Sequence, residues 1–173
     1  MKIIKREKIF EGHYSLHIVE LETAKGKEKL EREQFQTPNS VGVLVHDTQH
    51  DEIVLVQQFR VGPEKELLEI VAGKIEGKDK DPERTARREV MEEVGYEIDE
   101  LTLWCEFHTC PGPVTEQMSL FYAKVSKQVA DGGGLAIEHE EIEVIKMKRQ
   151  DFLKAAFYDA KTLIAQGKLQ QLA

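Results

Sequence analysis

Glu89, Glu92 and Glu93 are three and four residues apart within the stretch REVMEEVGY that runs from Arg88 to Tyr96. Residues at that spacing share one face of a helix, so their carboxylates crowd together. Three like charges this close destabilise a bare helix. Hard divalent cations such as Mg²⁺ or Mn²⁺ take oxygen ligands and would turn the repulsion into binding. A solvated helix face has the same composition, with Arg84 and Arg88 as ion-pair partners, so the triplet alone leaves both readings open.

The element that must hold these acids has clear ends. Asp81 can accept from the first free N–H groups, and Pro82 suits the first helical position because its missing N–H would have no partner there. Gly95 supplies a left-handed stop. Ala86, Val90 and Val94 recur every fourth residue and form a core-facing stripe beside the acids. Before the helix, residues 67–72 read as a short strand ending at Ala72 and Gly73, where a missing side chain lets backbone approach a ligand closely.

A glycine-containing loop, Arg88 abutting the first acid, and Gly95 closing the run make REVMEEVGY resemble the second half of the Nudix box. It matches that half at every defined position. The first half fits less well: Gly73 lies one residue too far from Arg88, and Lys80, beside Asp79, stands where the family has a bracing glutamate. The departure bears on loop geometry more than on metal binding, and Asp79 or Glu76 are the candidate braces.

The resemblance implies the fold and the roles. The expected fold is α/β, a mixed β-sheet sandwiched between α-helices. An N-terminal antiparallel strand extension over residues 1–38 builds a homodimer, and the Nudix hydrolase domain covers 39–173. Glu89, Glu93 and the Ala72 carbonyl are expected to hold Mg²⁺, with Mn²⁺ a possible substitute, while Glu92 either ligates metal or steadies the attacking water. Arg60, at the end of the apolar strand 53–59, and Arg88 are expected on the diphosphate, where a guanidinium can make two parallel bonds. Glu69 matches a glutamate of the family's Leu-Glu-x-x-Ala-Gly run and is expected to support the substrate site.

Further likenesses bear on the substrate. Pro111 stands sixteen residues past Gly95, where Nudix enzymes acting on ADP-ribose carry a proline. Residues 110–116, CPGPVTE, resemble the Ser-Pro-Gly-Gly-x-x-Glu run of related nucleotide-sugar enzymes with two departures, and Glu116 matches its glutamate, expected on metal or ribose. In ADP-ribose enzymes a loop glutamate acts as catalytic base; Glu140 is the first candidate here and Glu141 the second. Residues 131–134, DGGG, read as a mobile loop before the strand EIEVIKM, and this run resembles the GDP-mannose and UDP-glucose hydrolases. The expected reaction is therefore Mg²⁺-dependent hydrolysis of a nucleoside diphosphate sugar, ADP-ribose first, GDP-mannose or UDP-glucose as alternatives. A Nudix-like sensor that binds nucleotides without cleaving them is the reading from another class; survival of all three acids favours an enzyme.

Composition agrees. A chain of 173 residues with 40% hydrophobic content suits a soluble globular protein, and no apolar run approaches the ~20 residues of a membrane span. A net charge of −8 argues against nucleic-acid binding and would repel a diphosphate, which local arginines and metal must then receive. Two cysteines, Cys105 and Cys110, make no disulfide framework, and a reducing cytoplasm is the expected location. His13 and His17 share a strand face but have no third ligand nearby. Residues 40–46 and 53–59 read as paired strands, 98–108 and 118–125 as two more, and 151–157 and 159–170 as helices.

Overall fold

The structure is a computed structural model and describes residues 1–24, 29–76, 81–134 and 141–172. Two compact units divide the chain, Met1–Asn39 with Phe107–Met118, and Ser40–Glu106 with Ser119–Ala173.

The first unit is an antiparallel sheet of β1 (Lys2–Glu11), β2 (Ser15–Glu22) and β3 (Lys29–Gln36), in that order. The reading from sequence began its strands at residue 13; β1 is an added edge strand, exposed along its whole length. Phe35 of β3 exchanges backbone hydrogen bonds with the 107–118 segment, donating to the Pro113 carbonyl at 2.7 Å and accepting from Thr115 N–H at 3.1 Å. The side chain of Thr115 and the backbone of Thr37 exchange two more, at 3.0 and 3.1 Å.

The second unit is built on a seven-stranded sheet. Its strands are β4 (Ser40–Asp47), β5 (Glu52–Arg60), β6 (Lys65–Glu69), β7 (Val71–Lys74), β8 (Tyr96–His108), β9 (Gln117–Gln128) and β10 (Glu143–Lys148). The order is β10-β5-β4-β9-β8, with β6 on β5 and β7 on β4. Alternation along the strands sends side chains to opposite faces. Val41, Val43, Val45, Val54, Val56, Phe121, Ala123 and Val125 form one buried face, covered by Ala86, Val90 and Val94 of α1 (Pro82–Val94). Each such valine removed from water contributes about 1.5–3 kcal/mol. Leu44, Ile53, Leu55 and Leu120 alternate with that set and are also fully buried, so the other face has its own cover. That cover comes from α2 (Arg149–Phe152) and α3 (Ala160–Gln170), through Phe152, Ala165 and Leu169.

Two elements differ from the sequence reading. The strand expected over 67–72 is two strands, because the chain changes neighbours at Ile70. Ile70 is buried, and its N–H goes to Thr162 Oγ1 at 2.9 Å. The helix expected over 151–157 is a single turn. Beyond it the Gln166 amide donates to the carbonyls of Phe152 and Ala155 at 2.5 and 2.9 Å, satisfying oxygens that a longer helix would have used internally.

Candidate active site

The box helix has the ends its sequence dictates. Asp81 accepts from Glu83 N–H at 3.0 Å, and Gly95, at φ 71°, returns its N–H to the Met91 carbonyl at 3.1 Å. The glycine triplet adds a second stop. Gly133 and Gly134 donate to the carbonyls of Glu93 and Glu92 at 2.8 and 3.1 Å, and Val129 and Ala130 donate to Gly95 at 2.8 and 3.1 Å. Gly132 lies so close to the helix that a Cβ there would collide with the Glu93 carbonyl and Val94. Residues 129–134 therefore satisfy the C-terminal carbonyls of the box helix, a role the sequence reading did not assign.

Helical spacing put the three acids side by side, and packing separates them. Glu89 and Glu93 are buried, at 8% and 6% exposure, while Glu92 is half-buried. Arg88 donates to Glu89 Oε1 at 2.5 Å and to Glu92 Oε2 at 2.6 Å. Burial opposes the Arg88 charge, but the two carboxylates outweigh it and raise its pKa above the ordinary arginine value. Below the acids lies β7, where Ala72 and Gly73 pair with Gly42 and Val41 of β4. A Cβ on Gly73 would occupy the space of the Glu89 carboxylate. The glycine is thus required by a protein carboxylate packed on it, besides any approach to a ligand.

Arg60 and Glu69 meet on the neighbouring strands β5 and β6. Arg60 donates from Nε to Glu69 Oε1 at 2.9 Å and from Nη2 to Oε2 at 2.8 Å, a two-bonded pair with Glu69 at 1% exposure. Burial works against the Arg60 charge, yet the bonds to Glu69 and the charges of Glu69, Glu93 and Asp159 hold its pKa above the usual value. Glu93, on the box helix, is therefore among the charges that favour the charged form of Arg60.

Pro111 and Glu116 belong to the first unit. Pro111 is exposed, and Glu116 accepts from Thr109 Oγ1 at 2.6 Å. Glu141 is exposed at the edge of the described residues. Glu140, Asp79 and Lys80 lie outside them.

Among the described residues, one mixed group has ligand atoms close enough to converge on a cation, Asp47, His50 and Glu52, within 4.8 Å of one another. It sits at the β4–β5 hairpin, about 20 Å along β4 from the strand segment beside Gly73. Its oxygens are already engaged. Asp47 accepts from the backbone N–H groups of Gln49 and His50 at 2.9 and 3.3 Å and from Tyr96 Oη at 3.3 Å, and Glu52 pairs with Lys148 at 3.0 Å. Proximity alone favours the hairpin, but the type of partner favours the box helix.

The sequence pattern of the NUDIX domain matches residues 36–166. The chain belongs to the Nudix family. Curated relatives of this Nudix chain carry several names. An ADP-ribose pyrophosphatase of Bacillus subtilis is 37% identical over 98% of this chain and 92% of its own length. A methanol dehydrogenase activator of Bacillus methanolicus is 36% identical over the same shares. A GDP-mannose pyrophosphatase of Cronobacter sakazakii is 32% identical over 98% and 95%. A crystal structure of an ADP compounds hydrolase superposes with a TM-score of 0.79 at 20% identity, covering 99% of this chain and 92% of that one, and fixes the α/β Nudix fold.

The sequence reading missed Lys161. Its signal was available: Lys161, Ala165 and Leu169 recur at every fourth position, so a lysine occupies the buried stripe of α3.

Proposed function

We propose that this protein is a Nudix hydrolase that cleaves the diphosphate of a nucleoside diphosphate sugar in Mg²⁺, ADP-ribose foremost, giving AMP and ribose 5-phosphate. One observation carries the reading: two carboxylates of the box helix are buried, Glu89 packed on Gly73 and Glu93 one turn further along the sequence, while Arg60 is held half-exposed by Glu69. Buried carboxylates are costly without positive partners, and a site in which Glu89 is paired with the partly exposed Arg88 suits a metal-bound diphosphate. Names of relatives 37% and 32% identical support the same substrate class.

The residues fit a hard cation. Glu89, Glu92 and Glu93 offer only oxygen donors, the Ala72 carbonyl is the fourth donor in this reading, and the absence of a side chain at Gly73 leaves room for the Glu89 carboxylate. Bound there, Mg²⁺ would polarise a phosphoryl oxygen and lower the pKa of water. The chain's own groups do the rest. Arg60 binds diphosphate oxygens and neutralises their charge, and Arg88, partly exposed beside the acids, binds phosphate oxygens with it. Glu92 orients the attacking water, and a loop glutamate, Glu140 before Glu141, removes its proton. Water oxygen bonds to one phosphorus as the bridging P–O bond breaks, and the leaving phosphate departs with the bridging oxygen.

Residues 1–38 serve a homodimer in this reading. β1 is an edge strand whose Ile3, Ile4, Ile9 and Phe10 are exposed, a surface that association would cover. No helix of the described residues is long and apolar enough to cross a membrane, and with two free cysteines we place the protein in the cytoplasm. GDP-mannose is the second substrate, since several relatives near 30% identity bear that name. Incubating the protein with ADP-ribose, GDP-mannose and UDP-glucose in Mg²⁺, and identifying the phosphates released, decides among them. Tight binding with no products from any would replace the enzyme with a nucleotide sensor.

A further inference from the structure

The Arg60–Glu69 pair has a third member that the reaction above does not use. Lys161 lies at the start of α3 with its side chain 9% exposed, and its Nζ donates to Glu69 Oε2 at 2.5 Å. It also pairs with Asp159 Oδ2 at 3.1 Å. Asp159 is itself the cap of α3, accepting from Thr162 N–H at 3.0 Å and Oγ1 at 2.6 Å, and so it is fixed by the helix end.

A long ammonium side chain on the buried face of a helix needs a reason, because ordering and burying it is costly. Packing alone would be served by methionine. The geometry around Glu69 supplies one. Arg60 engages Glu69 side-on, through Nε and Nη2, and among the described residues no hydrogen bond takes Nη1. The Arg60 side chain is 38% exposed. The outer edge of the guanidinium is thus left to a ligand, provided the carboxylate behind it cannot rotate. A carboxylate held by one guanidinium alone can turn with it and cancels its charge. With Lys161 on the same oxygen, Glu69 has a second anchor and its negative charge is shared between two cations. Arg60 then keeps part of its charge for an incoming anion.

We infer that Lys161 is a positioning residue for the diphosphate, acting through Glu69 to hold Arg60 with its outer N–H edge presented to the phosphates. The inference rests on the proposed function for what Arg60 binds. It extends that reading to a buried residue in the first turn of α3.

The test is a double-mutant cycle between Lys161→Met and Arg60→Gln. It is read in two ways, by affinity for inorganic pyrophosphate in Mg²⁺ and by kcat and KM for ADP-ribose. The expected result is that K161M stays folded, weakens pyrophosphate about tenfold and raises KM by a similar factor with kcat nearly unchanged. In the R60Q background, K161M should add nothing, because the group it positions is gone. Lys161→Gln, whose amide can still donate one bond to Glu69, serves as the second variant if K161M does not fold. A purely structural lysine would lower the melting temperature while leaving the affinity of the folded protein untouched. That outcome, or independent effects of the two substitutions, overturns the inference. If the wild-type protein binds pyrophosphate but cleaves no nucleotide sugar, the hydrolase reading fails, and the pyrophosphate cycle still decides the role of Lys161.

Discussion

The hairpin acid Asp47 and the box acids Glu89 and Glu92 are all held by positive or N–H partners, but the partners differ in kind. Asp47 is tied by backbone N–H groups of its own turn and by Tyr96 from the core, donors that cannot leave without breaking the hairpin. Glu89 and Glu92 are tied by Arg88, a side chain 44% exposed that can swing out and return. A cation at the hairpin would compete with the fold. At the box helix it would compete, among other partners, with a guanidinium on a partly exposed side chain. In the proposed reading, replaceability of the present partner, more than distance between oxygens, separates the two places.

The largest effect that would sharpen this contrast is expected from Glu93→Gln. Losing one buried ligand charge should lower turnover about a thousandfold or more, as the electrostatic work of a metal site is lost. The melting temperature without Mg²⁺ should hold or rise, because a buried carboxylate is replaced by a neutral isostere. Near-normal turnover of a folded E93Q would remove the box helix from the metal site. Next in size is Gly73→Ala. The added methyl must displace the Glu89 carboxylate, and misplacement of a ligand by about an ångström costs roughly a hundredfold in rate. The stabilisation of the wild-type protein by Mg²⁺, seen as a rise in melting temperature, should shrink in G73A. If Mg²⁺ instead stabilises both equally and Asp47→Asn abolishes the shift, the hairpin is the metal site and the comparison is reversed.

How much of this was legible in the residues depends on how local the cause was. The box helix could be read to its ends, because Asp81, Pro82 and Gly95 act within one turn of where they stand. Strands β4 and β5 were legible as short apolar runs joined by a polar turn, and β8 and β9 as strands around a loop. Three features were not, and each has a non-local cause. The break at Ile70 depends on Thr162, ninety-two residues away. Burial of Glu89 depends on its packing against Gly73, and helical spacing alone cannot say which of three acids faces the sheet. The glycine triplet looked like a loop without partners, yet its amides meet carbonyls of a helix some forty residues earlier in the chain. Lys161 is the intermediate case. Its place in the stripe of α3 was visible, but the carboxylate it serves was not.

The smallest effect expected is at the hairpin, where the contrast predicts loss of stability without loss of chemistry. Asp47 is 2% exposed, and though burial pushes its carboxyl upward, the hydrogen bonds from His50 and the N–H groups of Gln49 and His50 win and hold its pKa below the ordinary aspartate value. A group whose pKa is lower in the folded state stabilises the fold above its unfolded pKa, near 3.8, and loses that contribution as pH falls through the folded pKa. Asp47→Asn keeps the shape and one acceptor oxygen but puts an amide donor where His50 and the turn present donors. It should cost about 1–3 kcal/mol at neutral pH. Urea unfolding of both proteins at pH 7 and in steps below pH 4 should show the difference narrowing on the acid side, as the wild-type carboxyl takes up its proton. Turnover of D47N measured well below its melting temperature should match the wild type. A constant difference at every pH would mean that Asp47 contributes through packing, and the hairpin bonds would then be incidental.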